Sequence, residues 1–191
     1  MYKGELDSGQ VKAIKKILRG EGTSAPESIT TDDLSSVYST RISSVSELEN
    51  LDSNVSQGDV VRVEQPDTPY RPSSWIDLDT SDVRIVFESQ FAKNGDPIVK
   101  VADGADVGGI RVGSNSAVTD VHIEGYGHDG NDANQDQTVK RLHGVIIEDV
   151  QRFSVRRCYA TRTSPYHEHN SGGSGITVRH QAEDVVIAEN R

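Results

Sequence analysis

A single cysteine, Cys158, stands in a chain of 191 residues. That excludes an intrachain disulfide. Aromatic residues make up 5% of the chain, with one tryptophan, and hydrophobic residues 34%. This is lean for a compact globule, yet too apolar for full disorder. No apolar run reaches the length of a membrane-spanning helix. The first ten residues, MYKGELDSGQ, hold neither an apolar signal-peptide core nor a twin-arginine pair. Export by a standard signal is therefore not expected. Positive charge is the scarcer sign, with 20 Lys and Arg against 30 Asp and Glu, a net charge of −10. Such a surface disfavours nucleic acid and anionic membranes as partners.

The kind of charge says more than the sum. Asp (18) outnumbers Glu (12), Arg (13) outnumbers Lys (7), and Ser and Thr are frequent. This balance resembles that of proteins from salt-loving archaea. Residues 8–19, SGQVKAIKKILR, read as a short helix between Ser8 as N-cap and Gly20 as stop. Val11, Ile14 and Leu18 share one face of it. A helix of this length is marginal alone and must dock on something. Two uses stay open: packing on its own domain, or assembly with a larger particle. Residues 20–39 are rich in Ser, Thr, Gly and Asp and read as an arm. The expected division is residues 1–39 as helix and arm, and 40–191 as the folded body.

The body opens with a short strand, a Ser-capped helix around 46–54, a Gly58-Asp59 turn and an apolar strand at 60–63. A repeat follows. IDL at 76–78 recurs as IRV at 110–112, VII at 145–147 and ITV at 176–178. VRI at 83–85 recurs as VHI at 121–123, FSV at 153–155 and VVI at 185–187. Each triplet places apolar residues at i and i+2, on one side of a strand. The spacings, 31 to 38 residues, and the constant order mark a repeat architecture. Two strands per repeat without helical periodicity imply stacked coils of parallel strands. One interior ladder would hold Leu78, Val112, Ile147 and Val178. A second would hold Ile85, Ile123, Val155 and Ile187. The Leu and Asn pattern of leucine-rich repeats is absent, and hairpin turns are too sparse for a sandwich. The expected fold is all-β, a parallel β-helix.

The segment SSVSELENLDSNVSQGDVVRVEQPDTPY, with its helix, Gly58-Asp59 turn, strand and Tyr70, resembles the N-terminal cap of pectin-lyase-like right-handed parallel β-helices. GVIIEDVQRFSVRRC and GITVRHQAEDVVIAENR are similar to that superfamily's rungs. The resemblance covers residues 40–191. It implies the fold; the superfamily itself spans polysaccharide lyases, glycoside hydrolases, epimerases and viral tailspikes. The chain stops at Arg191 just after a rung strand, and a continuation or a capping partner chain is expected there.

Two long connections, 125–143 and 158–174, leave the same corner of successive coils and should lie side by side. The first carries His128, Asp129, Asp132 and Asp136. The second carries Arg162, Tyr166, His167, Glu168 and His169. A polar, loop-built surface is expected there, a common place for function. Asp129, Asp132, Asp136, Arg162, Tyr166, His167, Glu168 and His169 are its candidate ligand-binding residues. No metal site or cofactor is expected, because three adjacent side chains cannot converge on one ion and DGNDANQD departs from the calcium-loop spacing. No catalytic residue is assigned. Glycoside hydrolysis uses two carboxylates, and the outward strand centres are Asp77, Arg111, Ile146 and Thr177, and Arg84, His122, Ser154 and Val186. Asp82, Asp120 and Asp184 recur before the second strand, with Arg152 interrupting, and read as turn residues that bond their own backbone. Gly108, Gly109, Gly144 and Gly175 read as tight corners, Cys158 as buried and inert, and Trp75 as a cap or core residue.

Together these features resemble the N-terminal part of a tail fibre or tailspike of a haloarchaeal virus. The resemblance implies a virion location, an N-terminus anchored to tail or baseplate proteins, host-surface glycan or glycoprotein as partner, and a homotrimer. The alternatives are a polysaccharide-active lyase, hydrolase or epimerase of a halophilic archaeon, and a cellular adhesion protein.

Overall fold

A computed structural model describes residues 37–105, 107–135, 143–163 and 174–191. The chain divides into two compact units, Met1–Ser39 and Thr40–Arg191. The expected assembly helix with Val11, Ile14 and Leu18 lies outside the described residues. The account below concerns the second unit.

Among the described residues, twelve strands and two short α-helices follow β1 (Thr40–Ile42) in this order: α1 (Val45–Glu49), α2 (Leu51–Asn54), β2 (Val60–Val63), β3 (Ile76–Leu78), β4 (Val83–Phe87), β5 (Val99–Lys100), β6 (Ile110–Val112), β7 (Val118–Glu124), β8 (Gly127–Asp129), β9 (Val145–Ile147), β10 (Val150–Arg156), β11 (Tyr159–Thr161), β12 (Ile176–Val178) and β13 (Glu183–Ala188). They form three open sheets. One has six strands in the order β1-β2-β4-β7-β10-β13, one has four as β12-β9-β6-β3, and one has three as β11-β8-β5. Strand pairing within all three is parallel. Among the described residues no helix is long and apolar enough to cross a membrane.

The repeat sets the register. Leu78 pairs with Val112, Val112 with Ile147, and Ile147 with Val178. Ile85 pairs with Ile123, Ile123 with Val155, and Val155 with Ile187. The first three members of each ladder are buried. Each such side chain stabilises the fold by roughly 1.5–3 kcal/mol through burial.

Sequence periodicity missed the third sheet. Both long connections run through a strand, β8 in the first and β11 in the second, and these two pair in parallel. Gly-His-Asp and Tyr-Ala-Thr carry no aliphatic alternation, so nothing in them reads as a strand. Asp82, Asp120, Arg152 and Asp184 also differ from expectation. All four adopt left-handed backbone, with φ of 56°, 57°, 55° and 51°. Asp tolerates that conformation better than most residues, which accounts for its recurrence. Arg152 does not interrupt the set. Its guanidinium donates to both carboxylate oxygens of Asp120, at 2.6 and 2.7 Å.

The N-terminal side of the stack is closed by the two helices. Ser44 caps α1, and its hydroxyl and Glu47 bond each other's backbone N–H reciprocally, a capping box. Leu48 and Leu51 are fully buried. Glu49 accepts from the N–H groups of Ser73 and Ser74, and Asp52 from the N–H of Asp79. These carboxylates tie the helices to the chain on both sides of β3. The Tyr70 hydroxyl donates to the Glu64 carbonyl at 2.8 Å, and burial pushes the phenol up to about 12.

Candidate functional site

The polar residues of the two long connections meet at the rim of the three-stranded sheet. Asp129 ends β8, and Arg162 follows β11 in left-handed backbone at φ 46°. The pairing of β8 with β11 brings them together. Arg162 Nε lies 2.9 Å from Asp129 Oδ1, and its Nη2 bonds Oδ2. The Asn131 N–H donates to Asp129 Oδ1 at 2.8 Å. Asn131 Nδ2 donates to the Val101 carbonyl at 2.9 Å and to Asp103 Oδ1 at 2.7 Å. Arg71 Nη2 reaches Asp103 Oδ1 at 2.6 Å. One chain of charge-assisted bonds thus links Arg71, Asp103, Asn131, Asp129 and Arg162 across successive repeats. Asn131 and Arg71 hold the Asp103 carboxyl below its ordinary range.

Exposure decides which members can meet a ligand. The Asp103, Arg162 and Arg71 side chains are 67%, 51% and 44% exposed. Asp129 is fully buried. The expectation of Asp129 as a surface contact is thereby corrected: it positions Arg162, and Arg162 faces solvent. Asp132 opens a single 3-10 turn, Asp132–Asn134, and is half-buried. Asp136, Tyr166, His167, Glu168 and His169 lie outside the described residues. Arg71 and Asp103 were not anticipated; they belong to segments without repeat signal.

His128, assigned by sequence to the same surface, points between the sheets instead. It is fully buried and stacks on Tyr126 with ring centroids 5.7 Å apart. Its Nδ1 lies 2.9 Å from the Tyr126 hydroxyl. Room for both rings comes from glycine. A Cβ on Gly109 would lie 2.4 Å from the Tyr126 hydroxyl and 3.0 Å from His128 Nδ1. Gly109 and Gly144 therefore serve close approach rather than a special backbone conformation.

A second cluster was not anticipated. His143 precedes β9 and Ser174 precedes β12, each followed by glycine. The Ser174 N–H donates to His143 Nδ1 at 3.1 Å, and the hydroxyls of Ser174 and Thr177 lie 3.0 and 2.8 Å from that nitrogen. An Nδ1 that accepts leaves the ring proton on Nε2. The legible signal was the recurring glycine before three of the four strand triplets: GG before IRV, HG before VII, SG before ITV.

On the outer faces, carboxylates are joined to arginines of adjacent repeats. Arg111 binds both oxygens of Asp77 at 2.6 and 2.7 Å. The same guanidinium sits 4.8 Å over the Trp75 ring, which leans on Gly108. Trp75 is half-buried under this ion pair and is neither core nor cap. Arg84 reaches Glu124 at 2.6 Å, Arg157 binds the other Glu124 oxygen, and Arg179 binds Glu148. Cys158 is buried and its thiol is pushed up to about 11 by burial, so it is a poor nucleophile. Among the described residues no group of three His, Cys, Asp or Glu could hold a metal ion. No family model, curated protein or solved structure matches this chain.

Proposed function

We propose that the chain is a structural and adhesive module: a right-handed parallel β-helix of the pectin-lyase-like kind, acting as part of a tail fibre or tailspike of a virus of salt-loving archaea. In this reading residues 1–39 anchor it to other tail proteins. The body, as a trimer, projects towards the host and meets a surface glycan at the rim of the three-stranded sheet. The observation that carries the non-enzymatic reading is the arginine pairing of the carboxylates Asp77, Asp120, Glu124, Asp129 and Glu148. Glycoside hydrolysis usually needs one carboxyl that carries a proton at working pH. A guanidinium beside a carboxylate favours the ionised form instead. Arg152, for example, holds the Asp120 carboxyl below its usual range. Exposed Arg71, Asp103 and Arg162 supply donors and acceptors suited to sugar hydroxyls. The lysine-poor, acidic composition supports the halophilic source.

The test is particle association. An antibody against residues 40–191 is used to follow the protein through a high-salt density gradient of the source culture. Co-banding with virus particles is the expected result; a purely soluble or cell-bound signal overturns the virion reading. Incubation with host-surface polysaccharide should give retention without new reducing or unsaturated ends. Release of such ends would replace adhesion with cleavage.

A further inference from the structure

We propose that His128 is an acid-sensitive latch, a neutral imidazole sealed behind the three-stranded sheet whose protonation releases β8 from β11. The inference rests on packing alone and stands or falls apart from the glycan reading. His128 is fully buried, and among the described residues its Nε2 has no hydrogen-bond partner. Its Nδ1 bonds the Tyr126 hydroxyl. Neighbouring strands face it with carbon: the register partners are Val99 on β5 and Ala160 on β11. Gly144 closes the Cδ2 side, where an added Cβ would sit 3.4 Å away.

An imidazolium needs acceptors on both nitrogens. Among the described residues the titratable and charged groups nearby are few. Tyr126 precedes the strand, and Cys158 acts electrostatically on Tyr126. Asp129 is adjacent in sequence, with Arg162 from β11 on its carboxylate. Lys100 of β5 is the register partner of Asp129. The four-stranded side offers Gly109 and Gly144. Asp129 attracts a proton toward His128, but its carboxylate already serves Arg162 and the Asn131 N–H. Desolvation therefore outweighs attraction, and the imidazole is pushed down to about 4.

The sign follows from linkage. Above the ordinary histidine value near 6.5, folded and unfolded states both hold neutral imidazole, and stability is complete. As pH falls from there towards about 4, the unfolded chain takes up a proton that the fold refuses, and stability is lost. One such proton changes the unfolding constant by up to about tenfold per pH unit. The relief is local. Opening β8 from β11 wets His128 and at the same stroke parts Asp129 from Arg162, so acid dismantles the polar rim.

Urea denaturation of the full chain at pH 7.5, 6.5, 5.5 and 4.5 tests this, comparing the native protein with His128→Asn. The Asn carboxamide oxygen replaces Nδ1 as acceptor for Tyr126 and does not titrate. The native protein should lose about a hundredfold in its folding constant across that window, and His128→Asn most of this dependence. An identical loss in both overturns the latch. His122→Asn, on the six-stranded sheet, should keep the native profile. If His128→Asn fails to fold, amide hydrogen exchange of the native protein decides. Protection at pH 5 should fall in β8 and β11 before β7 and β10; uniform protection across the sheets overturns the proposal.

Discussion

The two ends of the strand stack carry similar side chains in opposite circumstances. At one end Leu48 and Leu51 of the capped helices are fully buried over the sheets. At the other, Val178 and Ile187 occupy the same ladder positions as Val112 and Val155, yet are 42% and 49% exposed, with Val186 beside them at 42%. Residue type therefore does not set what a ladder position contributes. Coverage by the next layer does, because the favourable term scales with apolar area removed from water.

The sharpest way to break this comparison is one truncation made twice. Ile123→Ala in the middle of the stack should cost about 2–5 kcal/mol, as a cavity no neighbour fills. Ile187→Ala should cost under about 1 kcal/mol, since half of that side chain is already wet. Urea midpoints of the two variants check it. Equal losses would mean that β12 and β13 are covered in solution by something that binds there. Leu48→Ala belongs with the larger class, and Ser44→Ala, which removes the helix cap but not the burial, should cost about 1 kcal/mol.

The same contrast explains how much was legible in the sequence. The triplets 76–78, 110–112, 145–147 and 176–178 match four strands residue for residue, because aliphatics at i and i+2 fall on one face of a strand. The third sheet was illegible. Its interior column runs Val99, His128, Ala160, where a histidine stands in for an aliphatic and only the glycines opposite, Gly109 and Gly144, hint at the space it needs. Asp129 misled for a related reason. A carboxylate in a polar segment reads as solvent-facing, and only the strand pairing that brings Arg162 onto it buries it. The juxtaposition of the two connections followed from the repeat; the exchange of roles within it, Arg162 outside and Asp129 inside, followed from packing that no single sequence displays.

Asp129→Asn sharpens the comparison between buried and exposed ion pairs. It keeps the volume and removes the charge that Arg162 and the Asn131 N–H share. With Arg162 half in water the loss should be about 1–3 kcal/mol, the range for a charge-assisted bond with one buried partner. Arg162→Ala removes the exposed partner and should weaken glycan retention more than stability, if the rim is the binding surface. A binding assay on immobilised host polysaccharide separates the two variants.

The smallest expected effect is at Arg152, and its smallness is the point. Arg152 sits in left-handed backbone at φ 55°, a conformation that costs a residue of its kind roughly 1 kcal/mol. Its bond to Asp120 offsets part of that, but both side chains are substantially exposed, 54% and 38%, and exposed pairs contribute between about 0 and 1 kcal/mol. Arg152→Asn trades the ion pair for a residue that accepts the backbone more readily, as the Asp residues at the three equivalent positions do. The two changes nearly cancel, and the denaturation midpoint should move by less than about 0.5 kcal/mol. Raising the salt should tip the balance towards Arg152→Asn, since salt screens the pair and leaves the backbone term untouched. A large loss would place the ion pair, not the backbone, in control of that bend, and the recurring Asp would then have to be explained by the charges it offers to neighbouring strands.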